Sequence, residues 1–232
     1  MPDLLLLHGA LGAASTLQPL QQLLKSDFTV HTLNFQGHGG NTLPDKPFRI
    51  EQFAEDVLRY LDQHQLQRVD IFGYSMGGYV ALYLALQHPD RVGSIFTLAT
   101  KFAWSPDTAA KEVKMLQPDK VQEKVPAFAA ILAARHQPTD WQEVMRYTAD
   151  MMLHLGNDPL LTEETLSRIQ LPVRVSVGDR DNMVSLQETT WAYQQLPNAS
   201  LQVFPHTHHP LERVDLNQLQ HQIRQFFGKP IV

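Results

Sequence analysis

Val69-Asp70-Ile71-Phe72-Gly73-Tyr74-Ser75-Met76-Gly77-Gly78 is the stretch from which the rest of the chain can be read. β-Branched and aromatic residues run into a bend of small residues. Tyr79-Val80-Ala81-Leu82-Tyr83-Leu84-Ala85-Leu86 follows as a mostly apolar helical run. The pattern predicts a strand, a sharp turn and a buried helix, with one serine at the bend. Gly73-x-Ser75-x-Gly77 also has the spacing of a nucleophile elbow. The requirement is steric. A serine on a strained strand-to-helix turn lifts its hydroxyl clear of the sheet. Neighbouring backbone then comes so close that the positions two before and two after must be small. The helix that follows aims unpaired N–H groups and its positive dipole end at the same point. The rival reading is a glycine-rich turn carrying an incidental serine.

Upstream, Leu4–Leu7 is a short apolar run, expected to be a strand buried on both faces, and it leads directly into His8-Gly9-Ala10-Leu11-Gly12. Helix signals cover Ser15–Lys25, and Phe28–Phe35 alternates as a second strand. Phe53, Val57, Leu58 and Leu61 make a helical stripe within Ile50–His64. Downstream of the elbow, Val92–Ala99 reads as a strand. Strand and helix alternate, which implies a parallel sheet with right-handed crossovers. The alternation breaks after Thr100. Thr108–Gln117, Ala127–His136 and Thr139–Leu155 read as helices, with Pro118, Pro126 and Pro138 as punctuation, so 101–170 is expected to be a helical insertion. Alternation resumes with Val173–Val177 (strand), Leu186–Leu196 (helix), Ser200–Phe204 (strand) and Leu216–Phe227 (helix).

The length of 232 residues fits one large α/β domain, with 43 % hydrophobic and 19 % charged residues in the range of a globular protein with a core. A net charge of −5 without a basic run argues against nucleic acid as a partner. The absence of cysteine removes disulfides, thiolate nucleophiles and cysteine-based metal sites. The N-terminal apolar run is too short for a signal peptide and no run approaches membrane-spanning length, so no membrane association and a cytoplasmic location are expected. No feature specifies an oligomer.

A serine hydroxyl needs a base within hydrogen-bond reach, and the base needs an acid to orient it. In parallel α/β sheets such groups gather beyond the carboxyl ends of the strands. Gly178-Asp179-Arg180-Asp181 follows one late strand, and Pro205-His206-Thr207-His208-His209-Pro210-Leu211-Glu212 follows the next. The chain order is therefore serine, aspartate, histidine, each after a strand. Either aspartate, and any histidine of the cluster, meets that description. The cluster His206-x-His208-His209 also invites a metal reading, but no carboxylate–histidine metal motif accompanies it.

With those residues in place the chain resembles the α/β-hydrolase superfamily, over essentially its whole length. It is similar to the small, capped members with a serine nucleophile. The resemblance implies a three-layer α/β/α sandwich: a mainly parallel sheet of about six strands, a core of 1–100 and 171–232, and a helical cap insertion at 101–170. It implies Ser75 as nucleophile. Asp181 is the implied acid, because the family's loop runs Gly-x-x-Asp; Asp179 is its competitor and could instead cap a turn. The histidine placed directly before a proline selects His209 as base, with His208 the alternative under the Gly-His-x-Pro pattern. Backbone N–H groups of Ala10 and Met76 are the implied oxyanion hole, and His8 is expected to bond nearby backbone rather than carry protons. The family's common Asp-x-Arg after the second strand is replaced here by Asn34-Phe35-Gln36, which leaves catalysis intact but removes an arginine that some subfamilies use toward carboxylates. Lys101, Phe102 and Trp104 should lie near the site, with Trp104 the candidate pocket residue. Met151, Met152 and Leu155 are expected to pack cap against core.

The implied activity is hydrolysis of a carboxylic ester, lactone or thioester of a small-molecule substrate through an acyl-enzyme, with no cofactor and no metal. An alternative within the resemblance is cofactor-free C–C hydrolysis, or a lyase reaction of the menaquinone-pathway kind, on the same triad. An alternative of another class is a receptor-like module that binds a small signal.

Overall fold

The computed structural model describes residues 1–228; Lys229 to Val232, which the expected single domain includes, lie outside the described residues. The strands are β1 (Asp3–Leu7), β2 (Thr29–Thr32), β3 (Val69–Tyr74), β4 (Val92–Leu98), β5 (Val173–Gly178) and β6 (Ala199–Phe204). They form one six-stranded sheet in the order β2-β1-β3-β4-β5-β6, and every neighbouring pair is parallel. Helices close both faces. α1 (Gln18–Leu24) and α10 (Leu216–Phe227) cover one, while α2 (Ile50–Gln63), α3 (Met76–Gln87) and α9 (Leu186–Gln195) cover the other.

The four leucines of β1 explain the layering. Leu5 and Leu7 pack with Phe53, Val57, Ile71 and Val80. Leu4 and Leu6 point the other way, toward Leu17, Leu20, Leu24 and Ile223. A strand buried on both faces has no polar side to alternate with, which is why the run reads as continuous apolar sequence. β2 is shorter than its alternating pattern, Phe28–Phe35, suggests. It sits at the sheet edge and pairs only with β1, the last registered pair being Leu6 with Thr32. Beyond that point Leu33–Phe35 has no strand to bond and turns into a loop.

Between β4 and β5 the chain forms α4 (Pro106–Glu112), α5 (Pro118–Lys124), α6 (Pro126–His136), α7 (Trp141–Asn157) and α8 (Glu163–Ser167). Among the described residues of this stretch there is no strand. Two of these helices, α5 and α8, are absent from the sequence reading. Pro118 and Pro126, read there as breaks, are instead the first residues of α5 and α6. Proline suits that position because the first helical N–H has no partner to lose and its φ is already helical.

Two glycines bring the elbow close to its neighbours. A Cβ at Gly77 would collide with the carbonyl oxygen of Leu7 and lie 2.7 Å from that of His8, so α3 starts directly against the end of β1. A Cβ at Gly73 would collide with the backbone of Gly78, so the strand and helix of the elbow pack backbone to backbone. Neither neighbour is a flexible side chain that could move aside.

Candidate active site

Because all six strands run in parallel, the loops after β1, β3, β4, β5 and β6 emerge at one edge of the sheet. Ser75 stands between β3 and α3 with φ 51° and ψ −117°. This is a conformation that a residue with a side chain adopts only when its surroundings enforce it. Its N–H donates to Leu98 O at 2.8 Å, and its carbonyl accepts from Thr100 Oγ1 at 3.0 Å and Gly78 N at 3.0 Å. The elbow is thus tied to β4 on one side and to its own helix on the other.

Asp181 lies after β5, its side chain fully buried. Its Oδ1 accepts from the N–H groups of Met183 and Val184, both at 2.8 Å. Its Oδ2 faces His209 Nδ1 at 2.8 Å. With the carboxylate accepting, Nδ1 carries the hydrogen and Nε2 is left as the acceptor. His209 is buried, and the Tyr74 hydroxyl donates to its carbonyl oxygen at 2.8 Å, which anchors the loop after β6 to the strand that carries the serine. Asp179, the competing acid, is exposed and accepts from Thr207 N at 3.1 Å, so it caps the histidine loop instead of entering the site. Among the described residues His208 makes no side-chain hydrogen bond, and His206, at φ 54°, is exposed. No group of three or more histidine or acidic residues among those described could hold a metal ion.

Ser75, His209, Ala10 and Met76 line one cleft. Among the described residues no hydrogen bond yet joins the Ser75 hydroxyl to His209; such bonds commonly tighten only when substrate is present. Met76 follows the serine as the first residue of α3, where its N–H has no helical partner. Ala10 follows Gly9, whose carbonyl oxygen accepts from His8 Nδ1 at 2.8 Å and Gly12 N at 3.0 Å. A trans peptide points its N–H opposite to its C=O, so these two bonds fix the direction of the Ala10 N–H. Phe35 N donates to the other ring nitrogen of His8 at 3.3 Å, which sets the neutral Nδ1–H tautomer.

The remaining walls are mostly apolar. Lys101 and Trp104 come from the loop after β4, Met183 and Val184 from the loop after β5, and Met151, Met152 and Leu155 from α7. Of the last three, Met151 and Leu155 belong to the buried core, as the packing expectation has it. All three also line the cleft, because α7 lies over the carboxyl edge and its inner side meets the space above the elbow. Phe102 is buried and lines a second hollow, not this cleft. Lys101 Nζ pairs with Glu112 of α4 at 3.2 Å and donates to Met183 O at 3.2 Å, with the Trp104 ring 5.8 Å away. No sequence period links Lys101 to Glu112, so only the tertiary structure reveals this pair on the wall. The replaced Asp-x-Arg positions lie outside the cleft. Asn34 Oδ1 accepts from Ala14 N at 2.7 Å and its Nδ2 donates to Gly39 O at 3.2 Å, while Gln36 N donates to Asp56 at 2.8 Å.

Behind the turn after β1, His8, His38 and His136 form a buried group with neighbouring ring centroids 5.2 Å and 5.7 Å apart. Burial lowers the pKa of His8 and of His136 to about 4, and holds that of His38 well below its usual value. The folded state therefore refuses protons that the unfolded chain takes up near pH 6.5. Stability is fully present above that pH and falls as pH drops from 6.5 toward 4. The unfolding midpoint, measured by calorimetry across that window, is expected to fall with pH, and to fall less steeply in His136→Gln. Equal slopes in the two proteins would refute the assignment.

The family model described as alpha/beta hydrolase fold matches residues 2–136. A relative named for carbamate hydrolysis, RutD of Caulobacter sp. (strain K31), is 29 % identical over 225 residues, covering 86 % of this chain and 81 % of that protein. The pimeloyl-[acyl-carrier protein] methyl ester esterase of Pseudoalteromonas atlantica is 27 % identical over 229 residues, covering 90 % of this chain and 87 % of its own. Among solved structures, the enol-lactonase of Burkholderia xenovorans LB400 superimposes with a TM-score of 0.79 at 21 % identity, covering 98 % of this chain and 92 % of that one. At that identity the likeness speaks for the fold alone.

Proposed function

The chain belongs to the α/β-hydrolase family, and on that premise we propose that it is a serine hydrolase cleaving a carboxylic ester of a small molecule. Ser75 is the nucleophile, His209 the base and Asp181 the acid that orients it. The observation that carries the reading is the 2.8 Å bond from His209 Nδ1 to the buried Asp181 carboxylate, beside a serine held at φ 51° in the same cleft. Nothing in the cleft specifically favours C–C hydrolysis, lyase chemistry or a receptor role.

The chemistry follows from the atoms. As Ser75 Oγ attacks the ester carbonyl, its proton passes to His209 Nε2, and Asp181 stabilises the imidazolium that forms. The negative charge moves to the former carbonyl oxygen, where the Ala10 and Met76 N–H groups stabilise it without rearrangement. Collapse of this intermediate expels the alkoxide, which takes the proton from His209 and leaves an acyl-Ser75 ester. A water molecule then attacks the acyl group, giving its proton to His209, and the acid departs as Ser75 regains its hydrogen. Residues 101–170 act as a cap whose α7 side chains bound the acyl group.

The assignment is tested by fluorophosphonate labelling read by mass spectrometry. Label on Ser75, abolished by prior esterase inhibition, is expected; label elsewhere overturns it.

Trp104 sets acyl length in this reading. It lines the cleft and also the second hollow, beside Pro159, Leu161 and Trp191. Its indole Nε1 has no hydrogen-bond partner among the described residues, so truncation breaks no polar tie. Each methylene newly buried is worth about 0.8 kcal/mol. Trp104→Ala is therefore expected to raise kcat/KM for p-nitrophenyl decanoate relative to the butyrate by about tenfold or more. An unchanged ratio would remove Trp104 from the specificity wall.

A further inference from the structure

We infer that Arg135 and His136, at the C-terminal end of α6, are positioning residues for the oxyanion hole: they hold the turn that presents the Ala10 N–H by grasping the carbonyl oxygen of Leu11. The inference rests on the reading of Ala10 as an oxyanion donor.

The Gly9–Ala10 peptide is oriented locally, through the His8 and Gly12 bonds to the Gly9 carbonyl. The next residue is not. Leu11 has φ 56°, a left-handed conformation that a leucine does not choose unaided. Its side chain is buried, and its carbonyl oxygen has no partner within the turn. Both of that oxygen's bonds come from far along the chain. Arg135 Nη1 donates at 2.8 Å and His136 Nε2 at 3.1 Å. If they are lost, the carbonyl is stranded and the Leu11–Gly12 peptide can turn, which slackens the Gly12 N–H bond to the Gly9 carbonyl and with it one of the two ties that aim the Ala10 N–H.

Each donor is itself held. His136 Nδ1 accepts from Gly39 N at 3.1 Å, which places the ring hydrogen on Nε2, the atom that faces Leu11. His136 therefore spans the turns after β1 and β2 as a neutral bridge. Arg135 also reaches Glu212 on the histidine loop, but at 3.5 Å and with Glu212 largely exposed, so that ion pair contributes little. The bond to Leu11 is charge-assisted and part-buried, and it is the stronger tie of this guanidinium.

The functional weight comes from where α6 sits. It belongs to the same inserted segment as α7, whose side chains wall the cleft. A shift of that segment would slacken the Leu11 carbonyl, so the substrate-facing helices and the oxyanion donor are mechanically joined. An oxyanion hole works by preorganisation, and a displacement of about 1 Å costs on the order of a hundredfold in rate. Substrate affinity draws on the apolar wall and does not depend on that N–H.

The test compares Arg135→Met, Arg135→Lys, His136→Leu and the Arg135→Met/His136→Leu double variant with the native enzyme, on p-nitrophenyl butyrate and on an alkyl trifluoromethyl ketone. The ketone forms a tetrahedral serine adduct whose oxygen occupies the hole. Arg135→Met is expected to lower kcat by about 10- to 100-fold with KM within about twofold. The ketone should weaken by the same factor, and Arg135→Lys, which keeps one donor, should recover most of the loss. Values of kcat and ketone affinity within twofold of native in the double variant would overturn the inference. So would a change confined to KM, or one matched by a fall in unfolding midpoint and not rescued by lysine, since these mark simple docking of α6. Full turnover in Ser75→Ala, or a native enzyme indifferent to the ketone, would instead bring down the oxyanion reading beneath it.

Discussion

Ser75→Ala is expected to lower kcat for a p-nitrophenyl ester by about a thousandfold or more, with KM within a few-fold of native and the fold unchanged. The size of the loss follows from what the substitution removes. Only the hydroxyl goes; the backbone bonds that hold the elbow, from Ser75 N to Leu98 and from Thr100 and Gly78 to the Ser75 carbonyl, do not involve it. Alanine tolerates the positive φ no worse than serine does, so the cleft, the Met76 N–H and the apolar wall stay in place. What is lost is the covalent route. The residual rate is that of water attacking an ester held against the oxyanion donors, and such residual catalysis still exceeds the uncatalysed reaction. Steady-state kinetics with circular dichroism as a fold control decides the matter. A kcat within tenfold of native would mean that another group attacks.

The second large effect separates two adjacent histidines. His209→Ala is expected to reduce kcat by at least roughly a thousandfold, while His208→Ala stays within a few-fold of native. His209 Nδ1 lies 2.8 Å from Asp181, and its ring lines the cleft with Ser75. His208 does not line that cleft and has no hydrogen-bonded partner among the described residues. Asp181→Asn sharpens the same point. An amide that turns its NH2 toward Nδ1 favours the tautomer with hydrogen on Nε2, the atom that must accept the serine proton, so a loss comparable with His209→Ala is expected although the shape barely changes. Near-native turnover in Asp181→Asn, or equal losses at positions 208 and 209, would dismantle the proposed acid–base pair.

The alternation of apolar strands with helices was legible because each core strand is buried on both faces, as Leu4–Leu7 is, and each core helix keeps one stripe inward, as Phe53, Val57 and Leu61 do on α2. Such patterns are local and survive without tertiary knowledge. The insertion was harder. α5 and α8 are short helices of seven and five residues, below the length at which a stripe can be read. That the methionines of α7 also line the cleft was not legible for a related reason: facing a core and facing a cleft demand the same apolar side chain, so sequence spacing cannot tell one from the other.

By itself the sequence determined the parallel α/β layering and the position of the elbow serine, since both follow from side-chain periodicity and from glycines that a Cβ would not permit. It also narrowed the candidate acid and base to a few positions on two loops, because parallel strands deliver their loops to one edge. The family resemblance favoured Asp181 and His209 among them, and the tertiary structure shows those two in contact, His209 Nδ1 lying 2.8 Å from the carboxylate. Which of Asp179 and Asp181, or of His208 and His209, meets its partner depends on loop curvature, and neighbouring residues on an irregular loop point in different directions for reasons no local pattern records. The same holds for the grip of Arg135 and His136 on Leu11, across 124 and 125 residues of chain. Their proximity arises from the packing of the inserted helices on the sheet edge, and packing is a property of the whole fold.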